Sequence, residues 1–261
     1  MHAVACVKQV PRSHDISIDP ETGILDRSGA ESVMNPLDLH AVEAAVSLAE
    51  ATGGRATAIS MGPPQAEEAV REALARGCSR GVLLSDRAFA GSDSYATSKT
   101  LSYAVRRLED VDVVLCGKEA TDGDTGQVGP GLAAHLGWRQ AAYVRELTDV
   151  TTESLTAACQ MDMGVEVRRV PLPAVLTVLK DLNAPRFPSL VDCMEARRAD
   201  VEIWTAEDLG VGEDLLGLDG SPTRVDRVFA PSRDAQAVIW NDPPEESARR
   251  LADVLEERGL L

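Results

Sequence analysis

Along the first two-thirds of the 261-residue chain, short apolar runs rich in β-branched residues alternate with stretches whose apolar positions recur every three or four residues. That alternation predicts a parallel sheet wrapped by helices, in the order β-α-β-α-β-α-β-α. Strands are expected at Ala3–Val7, Ala56–Ser60, Val82–Leu84 and Val111–Cys116, and helices at Asp38–Ala51, Pro64–Arg76, Asp93–Arg107 and Gln127–Leu136. A hairpin over Ile16–Asp26 interrupts the first crossover, its arms joined by the turn signal Asp19-Pro20-Glu21-Thr22-Gly23.

After Gly137 the pattern changes to four successive strand-like runs, Ala141–Leu147, Leu155–Gln160, Val165–Val170 and Pro173–Val178. Strands that follow one another without helices point to antiparallel additions at the sheet edge. From about Arg197 the alternation is lost, Asp, Gly and Pro become frequent, and the chain ends in an amphipathic helix over Glu245–Arg258. The domain boundary is therefore expected after residue 196. Residues 197–261 would form an arm whose Trp204, Leu209, Leu215, Leu216, Leu218, Phe229 and Trp240 need a surface to cover them; a partner subunit would supply it, the alternative being an extra edge strand and helix folded back on the same domain.

Composition narrows the function classes. A net charge of −16 argues against a nucleic-acid partner, because nothing neutralises phosphate over an extended surface. No run approaches the roughly 20 apolar residues of a membrane helix, and the N-terminus lacks the features of a signal peptide, so a cytoplasmic location is expected. The five cysteines stand singly, without a CxxC pair or a histidine at metal-ligand spacing, so no metal site is assigned. Cys6 and Cys116 lie in apolar strand patterns and read as small buried hydrophobes. No nucleophile and base pair is visible, so no catalytic residue is assigned either.

In an open parallel sheet, ligands bind beyond the C-terminal ends of the strands, where successive loops converge. Those loops are Lys8-Gln9-Val10-Pro11, Met61-Gly62-Pro63-Pro64 and Gly117 to Pro130. The third is the most informative, because small and polar residues lead from a strand into a helix that Asp124 or Thr125 could cap. Glycines at 123, 126 and 129 allow close approach of backbone to ligand, and the helix N-terminus offers free amides to an anion. Phosphate fits this pattern. Asp122 and Asp124 would then cap the helix or hold ribose hydroxyls, leaving Thr125, Gln127 and backbone amides for the phosphate oxygens. Neither GxGxxG after the first strand nor GxxxxGK[ST] occurs, while Asn35-Pro36-Leu37-Asp38 reads as an ordinary opening for the first long helix. The expected fold is α/β, an open, mainly parallel, Rossmann-like sheet that binds an adenine nucleotide.

Six stretches, in order, resemble the electron-transfer flavoprotein beta-subunit family. They are Cys6 to Pro11, Met34-Asn35-Pro36 with Ala41 to Ala45, Ser60 to Pro63, Asp122 to Pro130, Leu182 to Leu190, and Gly217 to Val225. The resemblance implies a heterodimer whose alpha subunit holds FAD near the interface, and an adenine nucleotide within this chain. The implied nucleotide pocket comprises Cys6, Asn35, Pro36, Leu37, Asp38, Met61, Asp122, Gly123, Asp124, Thr125, Gly126, Gln127, Val128, Gly129, Pro130, Gly131, Leu132 and Ala133. Leu190 is the implied anchor for an acyl-CoA dehydrogenase or similar flavoenzyme.

Within the resemblance, housekeeping members carry a loop like D-D-D-x-N-Q-T-G with structural AMP, and electron-bifurcating members one like D-G-D-T-x-Q-V-G-P with a second FAD. This chain reads DGDTGQVGP, so FAD is the expected ligand, with AMP the alternative. NADH and a ferredoxin or flavodoxin would be the further partners of a bifurcating complex, and the chain would be an electron carrier rather than an enzyme. A nucleotide-binding stress or signalling module shares the alternation and the Gly-rich loop, but leaves the Leu190 segment and the C-terminal region unexplained.

Overall fold

The computed structural model describes residues 1–12, 17–18, 25–26, 32–226 and 237–261. Two compact units lie within Met1–Arg227 and Val228–Leu261. In the first, nine strands form one sheet: β1 (His2–Cys6), β2 (Arg55–Met61), β3 (Arg80–Leu84), β4 (Val113–Gly117), β5 (Arg139–Thr148), β6 (Ser154–Met161), β7 (Gly164–Pro171), β8 (Ala174–Val178) and β9 (Val201–Trp204). Their order across the sheet is β7-β6-β5-β8-β4-β1-β2-β3-β9. Strand β1 is parallel to β2 on one side and to β4 on the other, so the chain reverses its direction of travel across the sheet beside β1. That reversal opens a crevice above the C-terminal ends of β1 and β4.

The helices are α1 (Pro36–Thr52), α2 (Glu67–Ala75), α3 (Ser94–Arg107), α4 (Val128–Leu136), α5 (Leu190–Arg198) and the single turn α6 (Ala206–Leu209). Alternate strand residues serve opposite layers. Ala3, Ala5, Val113 and Leu115 pack with Ala41, Val42, Ala45 and Val70 of α1 and α2. Val4, Cys6, Val114 and Cys116 pack with Leu101, Val105, Leu132 and Ala133 of α3 and α4. All five residues of β1 are buried, as a strand covered on both faces requires. Helix α1 ends where Gly53, at φ 63°, turns left-handed and donates its amide to Ala49 and Glu50.

The expected strands and helices of the alternating region all form, with shifts of one or two residues at most ends. The expected hairpin is present as the antiparallel ladder of Ser17–Ile18 with Leu25–Asp26, and its turn lies outside the described residues. One expectation needs correction. The run Pro173–Val178 is not an antiparallel edge addition: β8 pairs in parallel with both β4 and β5. All five of its residues are buried, as a strand covered on both faces by helices and on both sides by neighbouring strands requires. Only β5, β6 and β7 form the antiparallel extension.

Strand β9 pairs in parallel with β3 and closes the other edge. Trp204 and Leu216 are buried in the same cluster as Phe89, and Gly217 approaches the 88–90 turn so closely that a Cβ would lie 2.2 Å from the Ala88 carbonyl oxygen. Trp204 and Leu216 thus fasten the 201–221 segment to the sheet domain itself. In the second unit, α7 (Pro244–Glu257) carries Leu251, Val254 and Leu255 on one stripe, and Arg250 lies over Trp240 at 5.6 Å while pairing with Asp242 at 3.1 Å. No helix among the described residues is long and apolar enough to cross a membrane.

Leu216→Ala removes a side chain that is 1% exposed and is expected to destabilise the first unit by about 2–5 kcal/mol. Urea unfolding followed by tryptophan fluorescence measures it. An unchanged midpoint would detach the 201–221 segment from the domain's core.

Candidate functional site

Two strand ends meet at one buried carboxylate. Asp38 sits in the first turn of α1, and its Oδ2 accepts the Lys8 amide from the loop after β1 at 2.8 Å. Its Oδ1 accepts the Gly117 amide at the end of β4 at 3.2 Å and the Asn35 side-chain amide at 3.0 Å. Asn35, fully buried, also donates to the Glu119 carbonyl at 2.9 Å and accepts the Thr121 amide at 3.2 Å. The start of α1 therefore fastens the loop after β1 to the loop after β4. Gly117 is required here, because a Cβ would lie 2.4 Å from Asp38 Oδ1.

Above this junction lies the exposed segment 121–125, with Gln127 exposed beyond it. Lys8 reaches across and pairs with Asp122 at 2.6 Å. Lys118 pairs with Glu119 at 3.0 Å and lies 5.8 Å from the ring of Tyr143. Two of the chain's four lysines thus offset carboxylates of the loop that was expected to face phosphate. Both escaped the sequence-based site, although their scarcity and their places directly after β1 and β4 were a usable signal. From the loop after β1, Gln9 also donates to the Gln65 carbonyl at 3.0 Å, which ties in the turn that follows Met61. The family-implied residues Cys6, Asn35, Pro36, Leu37, Asp38, Met61 and Asp122 to Ala133 therefore come to one edge of the sheet.

They do different work there. Asn35, Asp38, Leu132 and Ala133 are buried, and their side chains hold loops or fill the core. Gly129 packs against β8, where a Cβ would stand 2.4 Å from Thr177 Cγ2. Gly126 turns left-handed at φ 61°, as does Asp124 at φ 54°, whereas around Gly123 nothing lies within 4 Å of an added Cβ. The expected caps are displaced. Helix α4 begins at Val128 after Gln127, and no side chain caps it. The two left-handed residues carry the chain away from helical geometry until Gln127, whose Oε1 accepts the Ser94 hydroxyl of α3 at 3.2 Å. Cys6 and Cys116 are opposite one another in register, and hydrogen bonding to Cys6 together with burial holds the Cys116 thiol well above its ordinary range.

The rim is completed by the 217–223 segment. Asp93 caps α3 by accepting the Ala96 amide at 2.9 Å, and its other oxygen accepts the Thr223 amide at 3.1 Å and hydroxyl at 2.7 Å. This chemistry is that of a site built from main-chain groups, two cations and small residues at a sheet's switch point, suited to an anionic nucleotide.

Residues 22–209 match the electron transfer flavoprotein domain. The chain is 42% identical to the electron transfer flavoprotein subunit beta of Thermoanaerobacterium thermosaccharolyticum, with all of both chains covered. This chain belongs to the electron-transfer flavoprotein beta-subunit family. It is also 45% identical to Protein FixA of Azorhizobium caulinodans, over 93% of this chain and 89% of that one. Identity is 40% to the caffeyl-CoA reductase-Etf complex subunit CarD of Acetobacterium woodii, over the full length of both. The family assignment displaces the stress or signalling module. Beta subunits of this family work in electron transfer and pair with an alpha subunit.

Leu190 lies away from the crevice above β1 and β4. It opens α5, whose Ser189 and Asp192 cap one another reciprocally, and it is 79% exposed. Phe187, Val191 and Met194 are exposed beside it.

Burial pushes the Asp38 carboxyl up to about 7, outweighing the three N–H groups that favour its charged form. The folded protein thus holds this proton more tightly than an unfolded chain does. The resulting stabilisation is complete below the ordinary carboxylate value of 3.8 and is lost as pH rises through about 7. Asp38→Asn has no proton to lose there. The stability of the unsubstituted protein relative to Asp38→Asn is therefore expected to fall as pH is raised across that interval, read by urea unfolding at several pH values. Parallel curves would show that burial does not hold the proton.

Proposed function

We propose that this chain is the FAD-holding beta subunit of an electron-bifurcating electron-transfer flavoprotein. The observation that carries the reading is the open surroundings of Gly123, beside an Asp122 already offset by Lys8. At that position the housekeeping pattern has a second aspartate, whose charge would face the phosphates. The loop DGDTGQVGP omits it, which leaves room and a more favourable potential for a diphosphate. Bound flavin supplies the electron chemistry. The protein's part is to fix the loop through Asn35 and Asp38, present backbone amides, and set the local charge with Lys8 and Lys118. AMP in the same crevice is the alternative, and it would place the chain among housekeeping carriers.

In this reading NADH and a ferredoxin or flavodoxin exchange electrons with the complex, and an acyl-CoA dehydrogenase or similar flavoenzyme docks at Leu190. The second unit, with α7, would lie against the alpha subunit, which would cover Leu251 and Val254. A cytoplasmic location accords with these partners.

Two experiments bear on the reading. Cofactor extraction from the purified heterodimer, followed by chromatography, is expected to yield two FAD and no AMP per dimer. Gly123→Asp, which the fold has space to accept, is expected to lose one flavin selectively; one FAD and one AMP in the unsubstituted protein would sink the bifurcating reading. Separately, Leu190→Ala is expected to leave flavin content intact and to weaken docking to the dehydrogenase by about 2 kcal/mol. The KM for the dehydrogenase in electron-transfer assays reports it, and an unchanged KM would place docking elsewhere.

A further inference from the structure

The segment that leads from β8 to Leu190 contains Pro185 and Pro188 and adopts no regular secondary structure after residue 182. One arginine makes most of its contacts with α1. The Arg186 amide and Nε both donate to Glu43 Oε2 at 2.9 Å, and Nη2 donates to Glu43 Oε1 at 3.1 Å. The same guanidinium reaches Glu50 through Nη1 at 2.7 Å and Nη2 at 3.0 Å. Its own carbonyl accepts Nη1 of Arg76, the residue that follows α2, at 2.6 Å. Three residues earlier in the chain, Asn183 and His40 are joined in both directions: Asn183 Nδ2 donates to the His40 carbonyl at 2.9 Å, and His40 Nδ1 meets Asn183 Oδ1 at 3.0 Å.

Glu43 and Glu50 lie seven residues apart on α1, so two turns of helix present both carboxylates on one stripe. Two carboxylates on one stripe repel each other, and the planar fork of arginine satisfies both, which a lysine ammonium does with less geometric definition. An isolated ion pair at an exposed place such as Glu50 contributes little stability, about 0–1 kcal/mol. A cluster of four side-chain bonds plus a main-chain bond is better accounted for by the residues that Arg186 leads into. Immediately after it come Phe187, 93% exposed, and Leu190, the most exposed apolar residues of this segment. An exposed anchor binds well only if it is ordered before the encounter, because ordering a mobile loop at binding subtracts from affinity.

We infer that Arg186 is a positioning residue for partner docking, fixing the Phe187–Leu190 segment to α1 through Glu43 and Glu50. The inference rests on the docking role of Leu190 proposed above. Helix α1 makes the placement rigid. Its first turn is fixed by Asp38 under the nucleotide loop, and Glu50 lies twelve residues further on, about 18 Å along the same rod. From α2, Arg71 holds the far end of α5 by donating to the Ala196 carbonyl at 2.7 Å and the Ala199 carbonyl at 3.0 Å. The docking helix is thereby fastened at both ends by arginines, while its apolar face stays open.

The test uses the intact heterodimer with an acyl-CoA dehydrogenase supplied with its acyl-CoA. Arg186→Gln is expected to raise the KM for the dehydrogenase roughly tenfold, equivalent to about 1.4 kcal/mol. The kcat and flavin content are expected to stay unchanged, and amide hydrogen exchange over 183–190 to quicken. Glu43→Gln with Glu50→Gln, which leaves Arg186 in place, is expected to give the same rise, and combining all three substitutions to add nothing further. Arg186→Lys should restore part of the loss. If Leu190→Ala raises KM while Arg186→Gln and the double glutamate variant leave both KM and exchange unchanged, the positioning role is overturned and the docking role stands. If Leu190→Ala itself leaves KM unchanged, the docking role fails, and this inference falls with it.

Discussion

The loops beyond the C-terminal ends of β1 and β4 depend on one carboxyl group that is almost wholly buried. Asp38 gathers the amides of Lys8, just after β1, and Gly117, at the end of β4, and Asn35 beside it gathers Glu119 and Thr121 from the loop above. Remove this junction and the loops after β1 and β4 lose their common reference. The exposed residues that face the crevice are therefore precise only because two buried ones are fully satisfied, a pattern expected wherever a polar group is placed in a low-dielectric interior. The cost of that interior is visible in the proton that Asp38 holds near neutral pH.

Much of the fold was legible in the residues themselves. Alternating β-branched runs and helical spacings place the parallel strands and α1 to α4, because each element buries a face whose period differs. The insertion of β8 was not legible. A run such as Ala174–Val178 reads the same whether it joins an edge or returns to the middle, and only pairing with two neighbours distinguishes them. The same holds beyond Arg197, where irregular composition obscured a parallel edge strand and a buried Trp204. Long-range contacts decide such segments, and no local pattern reports them.

For the site, topology selected loops that the fold brings together, and the family resemblance selected residues within them. Neither separated side chains that face the crevice from those that hold it together. Asn35-Pro36-Leu37-Asp38 looked like an ordinary helix opening, yet the Asn35 and Asp38 side chains point inward, to loops brought from residues 117–121. Lys8 was passed over because its partner, Asp122, is 114 positions away. The clamp on Arg186 was equally hidden, since Glu43 and Glu50 look like ordinary exposed charges on an amphipathic helix.

Gly117 and Asp38 occupy nearly the same space: a Cβ on one would stand 2.4 Å from an oxygen of the other. The same Cβ would lie 2.9 Å from the Leu37 carbonyl carbon and 3.0 Å from the Asp38 amide nitrogen, so shortening residue 38 alone does not free residue 117. Glycine at 117 is therefore demanded by the backbone at the start of α1 itself, whatever side chain residue 38 carries.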